Sequence, residues 1–122
     1  MTSKATDVRV VLTMRENGVP ERTEHDGTLT RQAGKALVKF DKNRVWIERG
    51  RVIVSRGYTL TLDPTRPTAL DYPTPYGTLS IEVRTKKLNV TPDLQGVQAA
   101  YELWTAGRLA SELEMNLQIS EE

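Results

Sequence analysis

Apolar and polar residues alternate with a period of two along most of this chain. In residues 8–14 nearly every second position is apolar, and the same alternation returns in residues 78–84 and 97–104. Alternation of this kind predicts β-strands with one buried face, and the period of 3.6 that marks an amphipathic helix is nearly absent. The pattern therefore predicts an all-β protein.

Turn signals separate the alternating segments. Asn17-Gly18 is the strongest short hairpin signal, and Asp26-Gly27, Ala33-Gly34 and Arg49-Gly50 are interpreted as further turns. The segment from Asp63 to Pro67 is predicted to be a loop, since its two prolines cannot donate to a strand ladder. Strands spaced by roughly eight to twelve residues are typical of antiparallel sandwiches and barrels.

We therefore predict one antiparallel up-and-down β-barrel of about eight to ten short strands. The barrel domain is expected to span residues 7–120, after a flexible N-terminus of small and polar residues, 1–6. A length of 122 residues fits a single domain with one hydrophobic core.

The composition excludes several kinds of chemistry. The chain has no cysteine and one histidine, so thiol chemistry, disulfides and multi-histidine metal centres are excluded, and we expect no metal or other cofactor. Neither a nucleophile elbow nor a glycine-rich phosphate loop is present, so we do not expect an enzyme.

A net charge of +1 disfavours nucleic-acid binding. Because no signal peptide or membrane-spanning run is present, a cytoplasmic location without a membrane partner is expected.

The register of the first hairpin decides which of its side chains share a face. A two-residue turn at Asn17-Gly18 sets Val10 opposite His25 and Arg9 opposite Asp26. His25 then shares the apolar face, whereas Asp26 points the other way and forms no catalytic pair with it. Two interpretations stay open for His25: an internal acid–base or anion-binding group, or a hydrogen-bonded histidine at the barrel mouth.

A second hairpin places a charge on the inner face. A two-residue turn at Arg49-Gly50 sets Val45 opposite Val54, and the row continues to Arg56 and Tyr58. A buried arginine needs an internal carboxylate or an anionic ligand, because an unpaired buried charge is costly. The spacing of Arg56 and Tyr58 is similar to the Arg-x-Tyr pair that holds a carboxylate in intracellular lipid-binding barrels. The alternative is an arginine near a strand end that reaches water and braces the fold.

The outer face of the second hairpin carries an aromatic–aliphatic pair, Trp46 beside Ile53. Such a pair predicts a surface for a protein partner, including a homodimer interface. The alternative is that a neighbouring segment, residues 63–72, covers the two side chains.

The last hairpin admits turns of two lengths. A two-residue turn at Ala106-Gly107 mixes the apolar row of one strand with the acidic row of the other. A three-residue loop, Thr105-Ala106-Gly107, sets Tyr101 opposite Ser111 and keeps the apolar rows together. We predict the longer loop, with Gly107 in the left-handed conformation. Tyr101 and Ser111 then bond each other or a bound molecule.

Several segments resemble a known family. Tyr-Pro-Thr-Pro-Tyr-Gly at 72–77 is followed by an alternating strand at 78–85, and Arg56-Gly57 ends an earlier strand. With the late alternating strand pair, they resemble the YwiB-like family of small bacterial proteins, domain of unknown function 1934, over residues 8–119. The resemblance implies a lipocalin- or calycin-like antiparallel barrel and supplies no chemistry. Family members tend to carry a Tyr-rich acidic stretch where this chain has residues 38–42.

The leading hypothesis is a non-catalytic barrel that binds a small, partly apolar and anionic molecule in its interior. Its predicted ligand-binding residues are His25, Arg56, Tyr58, Tyr101 and Ser111. The alternative is a solid barrel that acts as an interaction or dimerisation module through Trp46 and Ile53. The interior distinguishes the two, because a barrel filled by its own side chains has no room for a ligand.

Overall fold

The computed structural model describes residues 4–122 as ten β-strands. The strands are β1 Ala5–Glu16, β2 Val19–Gln32, β3 Lys35–Phe40, β4 Asn43–Ile47, β5 Val52–Ser55, β6 Thr59–Leu62, β7 Thr68–Thr74, β8 Gly77–Val90, β9 Gly96–Thr105 and β10 Arg108–Glu121. The predicted flexible segment, 1–6, falls partly on residues 1–3, which lie outside the described residues. Across residues 4–122, no helix is long and apolar enough to cross a membrane.

All ten strands form one antiparallel sheet that curls into a nearly closed barrel, which confirms the predicted fold. The strand order is β6-β5-β4-β3-β2-β1-β10-β9-β8-β7, so β1 pairs with β10 and each other neighbour is adjacent in the chain. The edges β6 and β7 face each other along a line that we call the seam. The Thr68 hydroxyl donates to the Thr61 carbonyl oxygen across the seam at 2.7 Å, and the Asp63 amide donates to the Thr85 hydroxyl at 3.0 Å.

Both hairpin registers derived from two-residue turns are confirmed. Val10 lies opposite His25 and Arg9 opposite Asp26 across the first hairpin. Arg9 Nη1 also donates to the Asp26 carboxylate at 3.0 Å on the outer face. In the second hairpin, Trp46 lies opposite Ile53. These turns predict register well because their two-residue length leaves one way to align the strands.

The turn predicted at Asp26-Gly27 is wrong, because β2 runs through it without a break. Gly27 lies opposite Phe40 of β3. A Cβ atom at Gly27 would stand 2.5 Å from the Lys39 carbonyl oxygen. The glycine therefore permits a close approach between two strands rather than a change of chain direction.

The loop predicted at 63–67 connects β6 to β7, and the segment 63–72, the alternative cover for the outer face, also contains most of β7. Residues 68–74 form β7, which pairs with β8 and carries Pro73. A proline is tolerated there because β7 is an edge strand. The strand predicted from the alternation at 78–84 continues to Val90 as β8, with a register shift between Thr85 and Lys87. A bulge interrupts the alternation in sequence without ending the strand.

The predicted register of the last hairpin is wrong. The turn is Ala106-Gly107, and Leu109 lies opposite Trp104. A bulge at Ala110 then shifts the pairing, so that Ser111 lies opposite Leu103. With the two-residue turn alone, the apolar row of one strand would share a face with the acidic row of the other. The bulge changes this alignment, because after Ala110 the apolar rows of the two strands share a face.

Inward-facing residues are nevertheless those predicted, because the register differs by an even number of positions. Tyr101 is buried and lies opposite Leu113, while Ser111 is two residues away from that pair. Gly107 has a φ of +76°, the predicted left-handed conformation. The predicted contact between Tyr101 and Ser111 does not form.

The hydrophobic core is packed most completely towards one end of the barrel, which we call the closed end. This end carries the β2–β3, β4–β5, β6–β7 and β8–β9 connections, and the other, the open end, carries the β1–β2, β3–β4, β5–β6, β7–β8 and β9–β10 connections. The core side chains with the least exposed surface are Val8, Val10, Leu29, Val38, Ile47, Val52, Leu62, Val83, Val97 and Leu117.

The β8–β9 turn covers the closed end. Its Leu94 is only 8% exposed and joins the core, although its φ of +61° is left-handed. The turn is held by hydrogen bonds from the Gln95 amide to the Asp93 carboxylate at 3.0 Å and from the Gly96 amide to the Thr91 hydroxyl at 2.9 Å. These bonds keep an apolar side chain in a backbone conformation that residues other than glycine rarely adopt.

A candidate ligand cavity at the open end

A cavity of about 430 Å³ lies at the open end of the barrel. Residues from the β1–β2 hairpin, the β5–β6 connection, the β7–β8 hairpin and the last two strands form its wall. They are Met14, Glu16, Val19, Glu21, Arg56, Tyr58, Leu60, Leu70, Tyr72, Leu79, Ile81, Tyr101, Leu103 and Leu113. Both the volume and the mainly apolar lining are those of small-molecule sites, which span roughly 300–1,000 Å³. The inner side chains of the barrel therefore leave a space open to solvent at this end.

A smaller recess of about 70 Å³ lies beside the cavity. Five residues line both spaces: Met14, Arg56, Tyr58, Leu60 and Tyr101. The other side chains around the recess are Leu12, Phe40, Asn43, Val45, Val54, Met115 and Leu117. Because the two spaces share these walls, an apolar group of a ligand in the cavity can extend towards the core.

Tyr101 projects from β9 into both spaces. The side chain is 4% exposed, and burial raises the pKa of its hydroxyl far above the ordinary value. The charge of Glu16 acts in the same direction, whereas Arg56 lowers the pKa. The phenol is therefore neutral at physiological pH and able both to donate and to accept a hydrogen bond.

Arg56 lies at the rim of the cavity and is exposed, which agrees with the alternative of an arginine near a strand end that reaches water. β5 ends at Ser55, and the Arg56 amide donates to the Tyr58 carbonyl oxygen at 2.9 Å in a tight turn at Gly57, whose φ is +80°. The turn carries the arginine out of the strand, so its side chain lines the cavity and still reaches water. Among residues 4–122, no carboxylate forms a salt bridge with it.

Tyr58 and Tyr72 face each other from opposite sides of the seam. Their ring centroids are 5.2 Å apart and the planes are inclined by 51°. Such a tilted geometry is favourable for aromatic pairs and adds to the energy of their burial. The pair holds the two edge strands together where no backbone ladder joins them, and it forms part of the cavity wall.

Ser111 and His25, both predicted to bind ligand, lie outside the cavity and its recess. The Ser111 hydroxyl donates to Glu16 Oε2 at 3.2 Å. His25 Nε2 is 3.0 Å from the Thr23 hydroxyl, and its ring packs on Phe40 with centroids 5.2 Å apart. Ser111 therefore positions a cavity residue, and His25 is a hydrogen-bonded histidine packed beside the recess.

The remaining predicted site is on the outer surface of the barrel. Trp46 and Ile53 are half-buried, and Leu37 lies opposite Trp46 on the next strand. The three apolar side chains form a row across β3, β4 and β5. The segment 63–72, the alternative cover for these side chains, belongs to the sheet from Thr68 onwards as part of β7.

Sequence reasoning missed two glutamates and one tyrosine of the cavity wall. Tyr72 was missed because β7 was not predicted. Glu21 had a signal in the sequence, since the first hairpin sets it opposite Met14 on the apolar face. Glu16 lies at the end of the same inner row of β1. An acidic residue on an otherwise apolar strand face is the pattern that indicates such a position.

Candidate metal ligands are scattered over the barrel. Within residues 4–122, no group of three or more His, Cys, Asp or Glu side chains could hold a metal ion.

Comparison with known proteins identifies the family and the fold. The family model described as Domain of unknown function (DUF1934) matches residues 21–117. The crystal structure of the ywiB protein from Bacillus subtilis is similar to this chain with a TM-score of 0.79 at 16% sequence identity. That similarity covers 98% of this chain and 95% of the other. No curated protein has a sequence similar enough to be matched.

Proposed function

We propose that this chain, which belongs to the DUF1934 family, is a non-catalytic barrel that binds a small, partly apolar molecule at its open end. The description of the family assigns no activity, so the proposal rests on the cavity. The observation that carries it is an open space of about 430 Å³ inside an otherwise well-packed barrel. Apolar walls with a few converging polar groups are the usual features of a small-molecule site.

The apolar part of the ligand lies against Leu60, Leu70 and Leu103 in this proposal. Removing apolar surface from water contributes roughly 25 cal/mol per Å². Arg56 at the rim binds an anionic group, since its guanidinium has no carboxylate partner within the described chain and presents several donors. The Tyr101 hydroxyl supplies a neutral hydrogen bond further in.

The absence of catalysis, of a cofactor and of a membrane partner remains part of the proposal. The polar lining consists of an arginine, tyrosines and glutamates, and the pKa of Tyr101 is raised, which makes its phenol a poor nucleophile. The predicted cytoplasmic location is likewise a proposal, which fractionation of the source cells tests.

Calorimetric titration with decanoate tests the ligand proposal. Leu113→Trp fills the cavity and is expected to abolish binding. Arg56→Gln removes the charge and should weaken binding by up to about fivefold, the upper range for a charge at an exposed rim. Arg44→Gln, at an exposed arginine outside the cavity, is the matched control and should bind like the wild type. Undetectable wild-type binding at millimolar decanoate, or unchanged affinity of Leu113→Trp, would contradict the proposal.

The row formed by Leu37, Trp46 and Ile53 supports a second proposal, an interaction or dimerisation surface. Half-exposed apolar side chains on three adjacent strands favour contact with another protein. Light scattering after size exclusion tests the homodimer: the wild type is expected to dimerise, and Trp46→Ser should shift it to the monomer. A wild-type monomer at high concentration would exclude self-association through this row.

A further inference from the structure

Opposite charges face each other across the mouth of the cavity. Arg56 comes from the β5–β6 turn, whereas Glu16 and Glu21 come from the two strands of the β1–β2 hairpin. Around the barrel, β3 and β4 separate the β5–β6 turn from the β1–β2 hairpin on one side. On the other side the two elements are separated by four strands, β7 to β10. The arginine and the glutamates therefore stand on different sides of one opening.

The charges are close enough to act on one point without pairing. Glu16 and Arg56 shift the pKa of the Tyr101 hydroxyl in opposite directions, so both approach this buried group. No salt bridge joins Arg56 to either glutamate among residues 4–122. Glu16 is held in place by the Ser111 hydroxyl at 3.2 Å.

A ligand with a single charge meets attraction on one side of the mouth and repulsion on the other. A carboxylate at Arg56 faces two glutamates, and an ammonium group at the glutamates faces an arginine. A head group that carries both charges places each one beside its opposite. The mouth therefore favours a dipolar head group over either of its halves.

We propose, as an extension that rests on the proposed function, that the cavity selects zwitterionic amphiphiles. These are molecules with an ammonium and an anionic group at one end of a short apolar chain. The anionic group binds Arg56, and the ammonium group faces Glu16 and Glu21. The apolar chain lies along Leu60 and Leu103. The Tyr101 hydroxyl, between the two charges, donates to the anionic group.

Three ten-carbon probes test this selectivity by calorimetry at low ionic strength, where exposed charges are least screened. They are decanoate, decylammonium and 2-aminodecanoate, which carry a negative charge, a positive charge and both. The wild type is expected to bind 2-aminodecanoate about fivefold more tightly than either other probe, the upper range for charges at an exposed rim.

Charge-removing variants assign the two halves of the head group. The double variant Glu16→Gln, Glu21→Gln no longer attracts the ammonium group, so it should bind decanoate and 2-aminodecanoate about equally. The Arg56→Gln variant no longer attracts the carboxylate, so it should bind decylammonium and 2-aminodecanoate about equally. Glu114→Gln, at an exposed glutamate of β10 outside the cavity, is the control and should keep the wild-type order.

Two other outcomes are distinguishable. If the wild type binds decanoate or decylammonium as tightly as 2-aminodecanoate, the selectivity is wrong and the proposed ligand-binding function still stands. If none of the three probes binds, both fail. A preference for 2-aminodecanoate that persists in all the variants would place the selecting charges elsewhere and contradict the inference.

Discussion

The two ends of this barrel are built from the same alternating strands and differ in what fills them. At the closed end, Val8, Ile47 and Leu62 have no exposed surface, and the turn that carries Leu94 covers them. At the open end the inner rows continue and border the cavity. The large apolar residues with the most exposed surface lie at the open end: Val19, Tyr72, Tyr76, Leu79 and Leu109.

This difference shows how one core can serve two purposes. The alternation that makes a side chain face inwards is the same at both ends, so the pattern alone does not decide whether the interior is filled. Filling also depends on the connections, and at the closed end one of them adds a buried leucine, Leu94, to the core. We therefore expect stability to depend mainly on the closed end and binding on the open end.

The comparison is tested most strongly by two leucines on the same strand. Leu117 of β10 is 1% exposed, whereas Leu113 is half-buried in the cavity wall. Leu117→Ala should lower the free energy of unfolding by about 2–5 kcal/mol because it removes most of a fully buried core side chain. Leu113→Ala should cost about 1 kcal/mol, since it enlarges a space already open to water. Urea denaturation measures both; equal losses would contradict the division between the ends.

Substitutions of Leu94 are expected to lower stability by less, and the glycine variant should be more stable than the alanine variant. Leu94→Ala should cost roughly 1.5–3 kcal/mol through lost burial. Leu94→Gly should cost about 0.5–1 kcal/mol less than the alanine variant, because glycine tolerates the φ of +61° without strain. Thermal unfolding of the two variants decides the order. A glycine variant less stable than the alanine variant would mean that the turn carries no backbone strain.

Acid is expected to weaken the closed end through Asp93. Hydrogen bonds from the Thr91 hydroxyl and the Gln95 amide hold the pKa of this carboxyl below its ordinary value. Its stabilising effect is therefore complete above about pH 4 and is lost as the pH falls through the lowered pKa.

Melting temperatures at pH 7 and about pH 2.5 test this sign. Asp93→Asn should be less stable than the wild type at pH 7, and the gap should narrow in acid. Asp71→Asn, at an exposed position of β7, serves as the control and should leave no gap at either pH. A gap for Asp93→Asn that is the same at both values would exclude the carboxylate as the source.

The smallest expected effect is that of Arg56→Leu on stability. The side chain is exposed at the rim and forms no salt bridge within residues 4–122, so the free energy of unfolding should change by less than about 0.5 kcal/mol. Denaturation in the absence of ligand measures it. A loss above 1 kcal/mol would assign Arg56 a structural role and blur the division between the two ends.

Much of the fold is predictable because hairpin turns and alternation are local signals. Asn17-Gly18 and Arg49-Gly50 give the correct registers since each allows one alignment of its strands. The last hairpin fails because the bulge at Ala110 adds a residue that no local pattern marks. The inward-facing residues of this hairpin are nevertheless predicted correctly, because the predicted register is wrong by an even number of positions.

Less of the candidate site is predictable. Alternation predicts Arg56, Tyr58 and Tyr101 as cavity residues, because the inner row of β5 continues through the tight turn. The exposure of Arg56 does not follow from alternation, since this residue lies past the end of β5. The cavity itself depends on how far apart distant strands stand, a property that no single segment carries. His25 and Ser111 share rows with cavity residues and lie beside the space rather than in it.

The pairing of β1 with β10 has a consequence for how the chain reaches this structure. Every other ladder joins strands that are neighbours in sequence, and this one joins the first to the last. The cost in chain entropy of bringing such distant segments together is met before their contacts form, which makes barrel closure a late and slow step. Until then β1 is paired only with β2, and its other edge remains a template for strands of other molecules. Refolding yield is thus expected to fall with protein concentration.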